Sequence, residues 1–486
     1  MHSLKAKGIL SSYYYSKELS YFAGHKGCKE IGLETMHQDT IAAIATPLGV
    51  GAIGIVRLSG SDAIAITQRI WRGKDLQLQE SHTIHYGYIV DVDTVLDEVM
   101  VSLFRAPRSF TTEDMVEISC HGSPYILEHI LKLLLATGAR MATAGEFTMR
   151  AFLHGRIDLA QAEAVADLIA VQSAASHDIA IKQMRGGFSH QITALRTELV
   201  NFASLLELEL DFSEEDVEFV KRTELVDIIE RIQLVLLPLL ESFRYGNVIK
   251  NGVPVAIIGK PNAGKSTLLN ALLNEERAIV SATAGTTRDT IEEVLTIEGI
   301  AFRFIDTAGI RHTADEIEGI GVEKAYDKIK DATIVLHIID LTDTDANSSN
   351  LTAQIRALNP QAYIIGVLNK IDIAPHATLP AVGDTAIAIA ARSGKNIDRL
   401  KASLSTYIKS NIHSDQTIVA NLRHYEALRN AALSLEAVLK GIDQQITTDL
   451  IAAELKRTLA ALGEISGEVT NDEILGTIFS KFCIGK

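Results

Sequence analysis

Cysteine is scarce in this sequence, with Cys28, Cys120 and Cys483 standing far apart among 486 residues. An odd number of widely spaced cysteines excludes a disulfide framework. The absence of CxxC pairs and of paired Cys/His spacings gives no indication of a zinc site. Such cysteine usage fits a reducing compartment, so the sequence predicts a cytoplasmic protein.

The sequence also lacks long apolar runs and an excess of basic over acidic residues. No stretch of about 18 uncharged apolar residues is present, as a membrane-spanning helix would need, so we expect no membrane insertion. The net charge of -15 argues against capture of nucleic acid by a broadly basic surface. Any contact with RNA must therefore be local or shared with a partner.

Residues 1–38 lack the periodicity of the remaining chain. They contain "SSYYYS" and five lysines, but neither the apolar core of a signal peptide nor the arginines of a transit peptide. We expect a disordered extension. Met36 is an alternative start, because ordered patterning begins with "DTIAAIATP" from Asp39.

The rest of the chain is long enough for several domains. In residues 39–156, apolar runs such as "AIGIVRL" and "MVEISC" alternate with the helical pattern "SPYILEHILKLLLATG", which predicts a mixed α/β domain. Residues 157–249 and 413–486 carry helical periodicity instead. We therefore predict one helical domain in two parts, with residues 250–412 inserted between them.

The helical prediction depends on apolar residues spaced by three or four positions. The stripes are Leu195, Leu199, Phe202, Leu206 and Leu210 in the first part, and Leu422, Tyr425, Leu428, Ala432, Leu450, Leu455, Leu459 and Leu462 in the second.

The inserted segment opens with a phosphate-binding motif. The apolar strand "VPVAIIG" leads into "GKPNAGKST", which satisfies GxxxxGK[ST] with Gly259, Gly264, Lys265 and Ser266. The glycines let backbone N–H groups surround phosphates, the lysine adds a positive charge, and the serine hydroxyl can bind Mg²⁺. The strand before and the helical pattern after are the context that this motif requires.

Two further motifs select guanine. "FRFIDTAG" places Asp306 where a carboxylate can hold Mg²⁺ through water, and Gly309 where the γ-phosphate needs room. "IIGVLNKID" then places Asn369, Lys370 and Asp372 after another apolar strand, and a carboxylate there can accept bonds from N1–H and N2–H₂ of guanine. The three motifs together predict a Ras-like P-loop GTPase domain.

The residue after "DTAG" does not fit a Ras-like mechanism, because Ile310 stands where Ras-type enzymes use a water-orienting glutamine. The nearby carboxylates of Asp315, Glu316 and Glu318 are candidates for that role. Asn262 is either a ligand of a monovalent cation or a turn former. Thr286 or Thr287 offers a second Mg²⁺ hydroxyl.

From Asp39 to Lys486 the chain resembles the MnmE (TrmE) family of tRNA modification GTPases. The resemblance is carried by "GKPNAGKS", "AGTTRD", "DTAGIR", "NKID", "AGEFTMRAFLHGRIDLAQAEAVADLI" and the terminal "FCIGK". It implies an N-terminal α/β folate-binding and dimerisation domain, a discontinuous helical domain and an inserted G domain. It also implies a homodimer that works with the flavoprotein MnmG, in a heterotetramer, on the wobble uridine of certain tRNAs. The one-carbon unit would come from 5-formyl- or methylene-tetrahydrofolate.

The family's cation and nucleotide residues carry over by position. The resemblance implies K⁺ ligands at Asn262, Ser281, Thr283 and Thr286, Mg²⁺ ligands at Ser266 and Thr287, and a water-positioning role for Glu318. The implied GTP contacts are Asn262, Ala263, Gly264, Lys265, Ser266, Thr267, Ser281, Ala282, Thr283, Ala284, Gly285, Thr286, Thr287, Asp306, Thr307, Ala308, Gly309, Asn369, Lys370, Asp372, Ala390, Ala391 and Arg392.

The implied folate residues are Arg57, Glu117, Arg156 and Lys486. Arginine and lysine can pair with carboxylates, and a glutamate can accept two bonds from an aminopyrimidine edge. The chain departs from the family pattern at Arg156, where other members can carry lysine, and at Ala390, where a serine is usual.

The tail raises its own question, since chain ends usually fray. "TNDEILGTIFSKF" predicts a helix capped by Thr470 or Asn471 that delivers Cys483 at a fixed angle. Lys481 and Lys486 flank that cysteine, and their positive charges make Cys483 a candidate catalytic residue. The alternative is a packing residue beside Phe482.

Two other functions share part of this pattern. A ribosome-assembly GTPase of the Era or Der type shares the G motifs but would leave the N-terminal domain and the tail unexplained. A stand-alone folate-dependent one-carbon transferase would not need a GTPase insertion.

Overall fold

The computed structural model describes residues 39–211, 222–274, 293–305, 329–343, 348–377, 379–411 and 417–486. The chain forms two compact units, one of residues up to Ala166 together with Leu462–Lys486, and the other of Asp167–Ala461. The first unit therefore contains both ends of the described chain, and the second is inserted between them. The finer domain boundaries, at residues 156, 249 and 412, stay a prediction.

The first unit is built on a mainly antiparallel sheet. Its strands are β1 Ile41–Ile44, β2 Ile53–Ser59, β3 Trp71–Arg72, β4 Thr83–Asp91, β5 Thr94–Phe104, β6 Met115–His121 and β7 Arg140–Met141. They lie in the order β3-β4-β5-β6-β2-β1-β7, and β7 pairs with β1 in parallel. The strands predicted from "AIGIVRL" and "MVEISC" are confirmed as β2 and β6.

The two faces of this sheet differ, because side chains alternate along each strand. On one face Val56, Leu58, Val101 and Ile118 form a core with helices α1 Ala63–Ile70 and α2 Pro124–Ala136. The opposite face is covered at one end by a cluster of Ile41, Ala43, Met115, Ala142 and Phe147. Phe147 belongs to helix α3 Glu146–Leu153, which is followed by α4 Leu159–Ile169.

Beyond that cluster the second face is open to solvent. Ile53, Ile84, Tyr86 and Met100 are all exposed there, with Tyr86 directly opposite Met100 in the ladder of β4 and β5. Apolar side chains that share one sheet face in this way form a surface suited to a partner.

The second unit begins with helices α5 Ala174–Met184, α6 Gly187–Asp211 and α7 Arg222–Asn251. The predicted stripe of α6 is buried at Leu195, Leu199, Phe202 and Leu206. Helix α7 runs almost directly into the next sheet, since Gly252 alone separates it from β8.

A second sheet contains β8 Val253–Gly259, β9 Glu293–Ile297, β10 Ile300–Phe304, β11 Ile334–Asp340, β12 Tyr363–Asn369 and β13 Thr385–Ala388. Its order is β13-β12-β11-β8-β10-β9, parallel except for β9. Apolar clusters cover it with helices α8 Lys265–Asn274, α9 Ser348–Leu358 and α10 Ile397–Ser410. This is the doubly wound arrangement that places ligands at the carboxyl ends of parallel strands, and the predicted P-loop domain is confirmed.

The chain ends with helices α11 Leu422–Asp443, α12 Thr448–Ser466 and α13 Asp472–Phe479. Part of the predicted stripe is wrong, because Leu422 and Leu450 are exposed. The buried face of α11 instead carries Ala427, Leu428, Ala431, Leu435 and Val438. Small alanines there let α11 pack closely, and the two exposed leucines lie within the first three residues of their helices.

The predicted C-terminal helix and its cap are confirmed. Asn471 accepts a hydrogen bond from the Ile474 N–H at 2.8 Å. Leu475, Ile478, Phe479 and Phe482 then pack with Leu159 and Ala162 in the first unit.

None of the helices in the described ranges is long and apolar enough to cross a membrane.

A network of ion pairs in the first unit is centred on the buried side chains of Arg150 and Glu146. Arg150 is 1% exposed and donates to Asp39 at 2.7 Å, to Glu113 at 3.1 Å and to Glu146 at 3.1 Å. Arg140 pairs with the same Asp39 and Glu146, each at 2.6 Å. Burial alone would raise the pKa of Asp39 and of Glu146, but the hydrogen bonds from the arginines outweigh it and lower both pKa values.

We predict that Arg150→Met destabilises the first unit by about 3 kcal/mol, because it removes a buried charge that pairs with three carboxylates, leaving Glu113 without its arginine and Asp39 and Glu146 with Arg140 alone. Trp71 reports this unit selectively, since it is the chain's single tryptophan and is 5% exposed. The measurement is the urea midpoint of Trp71 fluorescence at pH 7.

Lys132→Met is the matched control, since it breaks the exposed pair with Glu128 and should cost less than about 1 kcal/mol. Folding lowers the pKa values of Asp39 and Glu146. The stability that these ionised carboxylates contribute is therefore fully present when the pH is above their ordinary pKa values, and it is lost as the pH falls through the lowered pKa values of the folded state. The difference between wild type and Arg150→Met should therefore shrink toward about pH 3. An unchanged difference would contradict the network's role.

Candidate nucleotide and ligand sites

The predicted phosphate loop lies at the carboxyl end of β8 and leads into α8. Its backbone takes two left-handed conformations, at Asn262 with φ +60° and at Gly264 with φ +100°. This turn sends the chain into the N-terminus of α8, where free N–H groups favour an anion.

The charged residue of the loop is Lys265, at the first position of α8. Its ammonium group donates to the carbonyl oxygens of Gly259 at 2.8 Å and Lys260 at 2.9 Å. Burial lowers the pKa of this ammonium below its ordinary value. The positive charge is therefore held against the loop, while Asn262, Ser266 and Thr267 remain exposed.

Asn369 connects three loops of this site. Its buried amide donates to the Ala263 carbonyl at 2.8 Å and accepts from the Ala391 N–H at 3.0 Å. A Cβ at Gly264 would lie 2.2 Å from its Nδ2, which explains why glycine stands there. Asn369 therefore fixes the phosphate loop relative to the loop around Ala391.

The other residues of "NKID" divide between packing and solvent. Lys370 pairs with Asp340. Burial would raise the pKa of Asp340, but the hydrogen bonds from Lys370 and Thr342 outweigh it and lower that pKa. Asp372 is exposed at the same edge. Ala390 and Ala391 are buried and Arg392 is exposed.

Several predicted site residues lie outside the described residues. They are Ser281, Ala282, Thr283, Ala284, Gly285, Thr286, Thr287, Asp306, Thr307, Ala308, Gly309, Ile310, Asp315, Glu316 and Glu318, together with the extension 1–38.

A second candidate site lies on the open face of the first sheet. Arg57 on β2 and Glu117 on β6 are directly opposite in the ladder. The guanidinium Nε and Nη2 both donate to Glu117 Oε1, at 2.9 and 2.7 Å, and the group lies 5.7 Å above the Phe147 ring. No described residue donates to the other carboxylate oxygen, Oε2, so its lone pairs can accept from a ligand.

The C-terminal tail docks beside this pair. Arg57 Nη1 donates to the Gly485 carbonyl at 3.2 Å, and the Phe147 N–H donates to the Lys486 carbonyl at 3.2 Å. Phe482 is buried, whereas Cys483 is exposed. The structure thereby brings together Arg57, Glu117 and Lys486, which are far apart in sequence.

Arg156 is placed less closely. It is exposed, and its guanidinium lies 5.7 Å above the Phe110 ring. Phe110 packs against the same cluster as Phe147. Arg57 and Arg156 therefore both contact aromatic rings of one cluster.

Sequence reasoning missed the residues that hold the tail. Gly145 has φ +69°, and a Cβ there would lie 2.7 Å from the Phe479 carbonyl, while its N–H bonds the Cys483 carbonyl at 3.4 Å. The signal was present in "AGEFTMRAF", which contains Gly145, Glu146, Phe147 and Arg150, but its spacing says nothing about what these residues contact.

Comparison with protein families gives two matches. The model of the MnmE helical domain matches residues 159–483, and that of the GTP-binding protein TrmE N-terminus matches residues 40–156.

Individual relatives agree with these matches. A tRNA modification GTPase MnmE from Flavobacterium johnsoniae is 50% identical over 465 residues, covering 93% of this chain and 100% of the relative. That from Cytophaga hutchinsonii is 52% identical over 456 residues, covering 93% and 99%.

Solved structures match part of the chain. Era of Aquifex aeolicus bound to GDP and AlF4⁻ is 30% identical, with a TM-score of 0.23, over 37% of this chain and 65% of that structure. The G domain of the T. maritima FeoB iron transporter is 24% identical, with a TM-score of 0.24, over 32% of this chain and 98% of that structure.

We predict that Asn369→Ala weakens binding of a fluorescent GDP analogue about ten- to a hundredfold. The substitution leaves the Ala263 carbonyl and the Ala391 N–H without their partner, at a cost of about 1–3 kcal/mol. The measurement is an equilibrium titration of the purified protein.

Asn270→Ala is the control, because Asn270 is exposed on α8 of the same domain. It should bind within about twofold of wild type. Equal affinity in Asn369→Ala would mean that the three loops are positioned independently of its amide.

Proposed function

This chain belongs to the MnmE family of tRNA modification GTPases, and on that premise we propose that it is a K⁺-dependent GTP hydrolase. Acting with the flavoprotein MnmG, it forms the 5-carboxymethylaminomethyl or aminomethyl group on the wobble uridine of certain tRNAs. A tetrahydrofolate derivative supplies the one-carbon unit.

One observation carries this proposal beyond GTP hydrolysis. The terminal "FCIGK" docks against Arg57 and Glu117 in the same unit, in a chain that also carries a complete phosphate loop. A G domain that acted only as a switch would have no need of this second polar site.

In the nucleotide site, each described residue has a role that its position supports. The backbone N–H groups from Asn262 to Ser266 bind the phosphates, and Lys265 exchanges its two carbonyl acceptors for phosphate oxygens. Asp372 accepts two bonds from guanine. Lys370, held by Asp340, keeps its stem beside the base.

The metal ions are assigned to oxygen donors. The exposed hydroxyl of Ser266, with Thr287, would hold Mg²⁺, which prefers oxygen ligands. The exposed amide of Asn262, with Ser281, Thr283 and Thr286, would hold K⁺. Bound K⁺ would supply the positive charge that an arginine finger supplies elsewhere. Glu318 would position the water, since Ile310 cannot.

The folate site uses the donor set on the open face. Glu117 Oε2 would accept from the aminopyrimidine edge while Arg57 holds Oε1. On Arg57, the second N–H of Nη1 and of Nη2 has no assigned acceptor within the described ranges, so both can bind a ligand carbonyl. Lys486 and Arg156 would add positive charge for the carboxylates of the ligand.

The open sheet face supports the proposed homodimer. Ile53, Ile84, Tyr86 and Met100 form an apolar surface that a second copy of the chain would cover. The net charge of -15 supports sharing tRNA with MnmG in a heterotetramer, because the chain lacks the basic surface for capturing RNA alone. A cytoplasmic location stays a prediction from cysteine usage.

We predict that GTP turnover is at least about a hundredfold faster in KCl than in NaCl of equal ionic strength, and that Asn262→Ala loses the stimulation, because the cation replaces an arginine finger. The measurement is phosphate release by the purified protein. Asn270→Ala should retain the response. Equal rates in both salts would make Asn262 a turn former and favour an Era-like switch.

We also predict that Asp306→Asn abolishes formation of the modified uridine while 5-formyltetrahydrofolate binding stays within about twofold of wild type. The reason is that hydrolysis drives motions of the G domain, which lies apart from Arg57 and Glu117 in the chain. Mass spectrometry of tRNA nucleosides from a complemented deletion strain measures the product.

Asp331→Asn is the matched control, because it removes a charge from an exposed position of the same domain. Modified tRNA at normal levels in Asp306→Asn would contradict coupling between hydrolysis and modification.

A further inference from the structure

The guanidinium of Arg57 is shared between two partners that are far apart in the sequence. Nε and Nη2 bind Glu117, and Nη1 binds the carbonyl of Gly485, which is 428 residues away. The group is planar and rigid, so a change in the position of Glu117 changes the direction in which Nη1 points.

The end of the tail is held mainly through its backbone. Three of its carbonyl oxygens accept hydrogen bonds: that of Cys483 from the Gly145 N–H, that of Gly485 from Arg57, and that of Lys486 from the Phe147 N–H. Ile484 forms an isolated bridge with Ala144, but its side chain is 51% exposed. After Phe482, therefore, the tail is fixed mainly by these three hydrogen bonds to its backbone, one of which comes from the Arg57 side chain.

Gly485 makes this docking possible. Its φ of +96° is a conformation that favours glycine, and a Cβ there would lie 2.5 Å from the Ile44 carbonyl oxygen. Any side chain at this position would push the tail from the sheet. That change leaves Arg57, Glu117 and Arg156 as they are, but it moves Lys486 together with the tail.

We propose that Arg57 is a positioning residue for the tail, so that occupation of the Arg57–Glu117 site and docking of Phe482–Lys486 are thermodynamically coupled. This inference rests on the proposed folate site and adds its linkage to the exposed thiol of Cys483. A ligand that orders Glu117 and Arg57 orders the Gly485 carbonyl, and with it the backbone of Cys483. The coupling is reciprocal. If the ligand increases the docking equilibrium constant of the tail by some factor, then undocking the tail lowers the affinity for the ligand by the same factor.

The test is equilibrium binding of 5-formyltetrahydrofolate to full-length wild type, Gly485→Ala, Lys486→Met and Gly476→Ala. Gly476 is the matched control, because it lies in α13 and a Cβ there meets nothing within 4 Å. We expect Gly485→Ala to bind about five- to a hundredfold more weakly than Lys486→Met, which removes the charge of Lys486 but keeps the backbone bonds of the tail, and we expect Gly476→Ala to bind like wild type.

A second readout monitors the tail itself. Trypsin cleavage after Lys481 gives the peptide Phe482–Lys486, so mass spectrometry reports iodoacetamide labelling of Cys483 separately from that of Cys120. Cys120 is buried, and burial raises the pKa of its thiol to about 11. Saturating ligand should slow labelling of Cys483 severalfold in wild type. Gly485→Ala should label faster and without response to ligand.

The outcomes separate this inference from the proposed function. An affinity of Gly485→Ala no weaker than that of Lys486→Met, together with faster labelling, would show a free tail without coupling and would overturn the inference while leaving the folate site intact. No binding to wild type would overturn the folate assignment and the inference with it. If Trp71 fluorescence shows that Gly485→Ala is unfolded, Phe482→Ala replaces it, since it removes the tail's buried anchor.

Discussion

The contact between the C-terminal tail and the N-terminal sheet is the interaction on which the organisation of the chain depends. Phe479 and Phe482 pack with Leu159 and Ala162, and Arg57 binds the Gly485 carbonyl. Because this contact returns the end of the chain to the unit in which the described residues begin, residues 167–461 are an insertion with both ends fixed. It also brings Lys486 and Cys483 to the face that carries Glu117.

Within the inserted unit, the direction of the strands decides where the chemistry lies. Parallel β8, β11 and β12 end at one edge, and each contributes a residue there. The buried amide of Asn369 then joins the phosphate loop to the loop around Ala391. Asn369 thus acts through the backbone, whereas Asp372 is exposed at the same edge and is the residue that we propose to accept from guanine.

Much of the fold and of the nucleotide site could be predicted from the sequence, because the determinants are local. The strand "VPVAIIG" and the capped helix after Asn471 appear where periodicity and capping rules place them. The exposed positions of Leu422 and Leu450 could not be predicted, because periodicity shows that a helix has an apolar face without showing which of its residues another element covers.

The sequence by itself determined the phosphate loop, the guanine motif and the family, since each depends on residues close together in the chain. Tertiary structure alone decided that Arg57 meets Gly485, and that Arg150 meets Asp39 across 111 positions. Such contacts leave no local periodicity, because the free energy that selects them comes from burial and pairing of charges that meet only after the sheet and tail have formed.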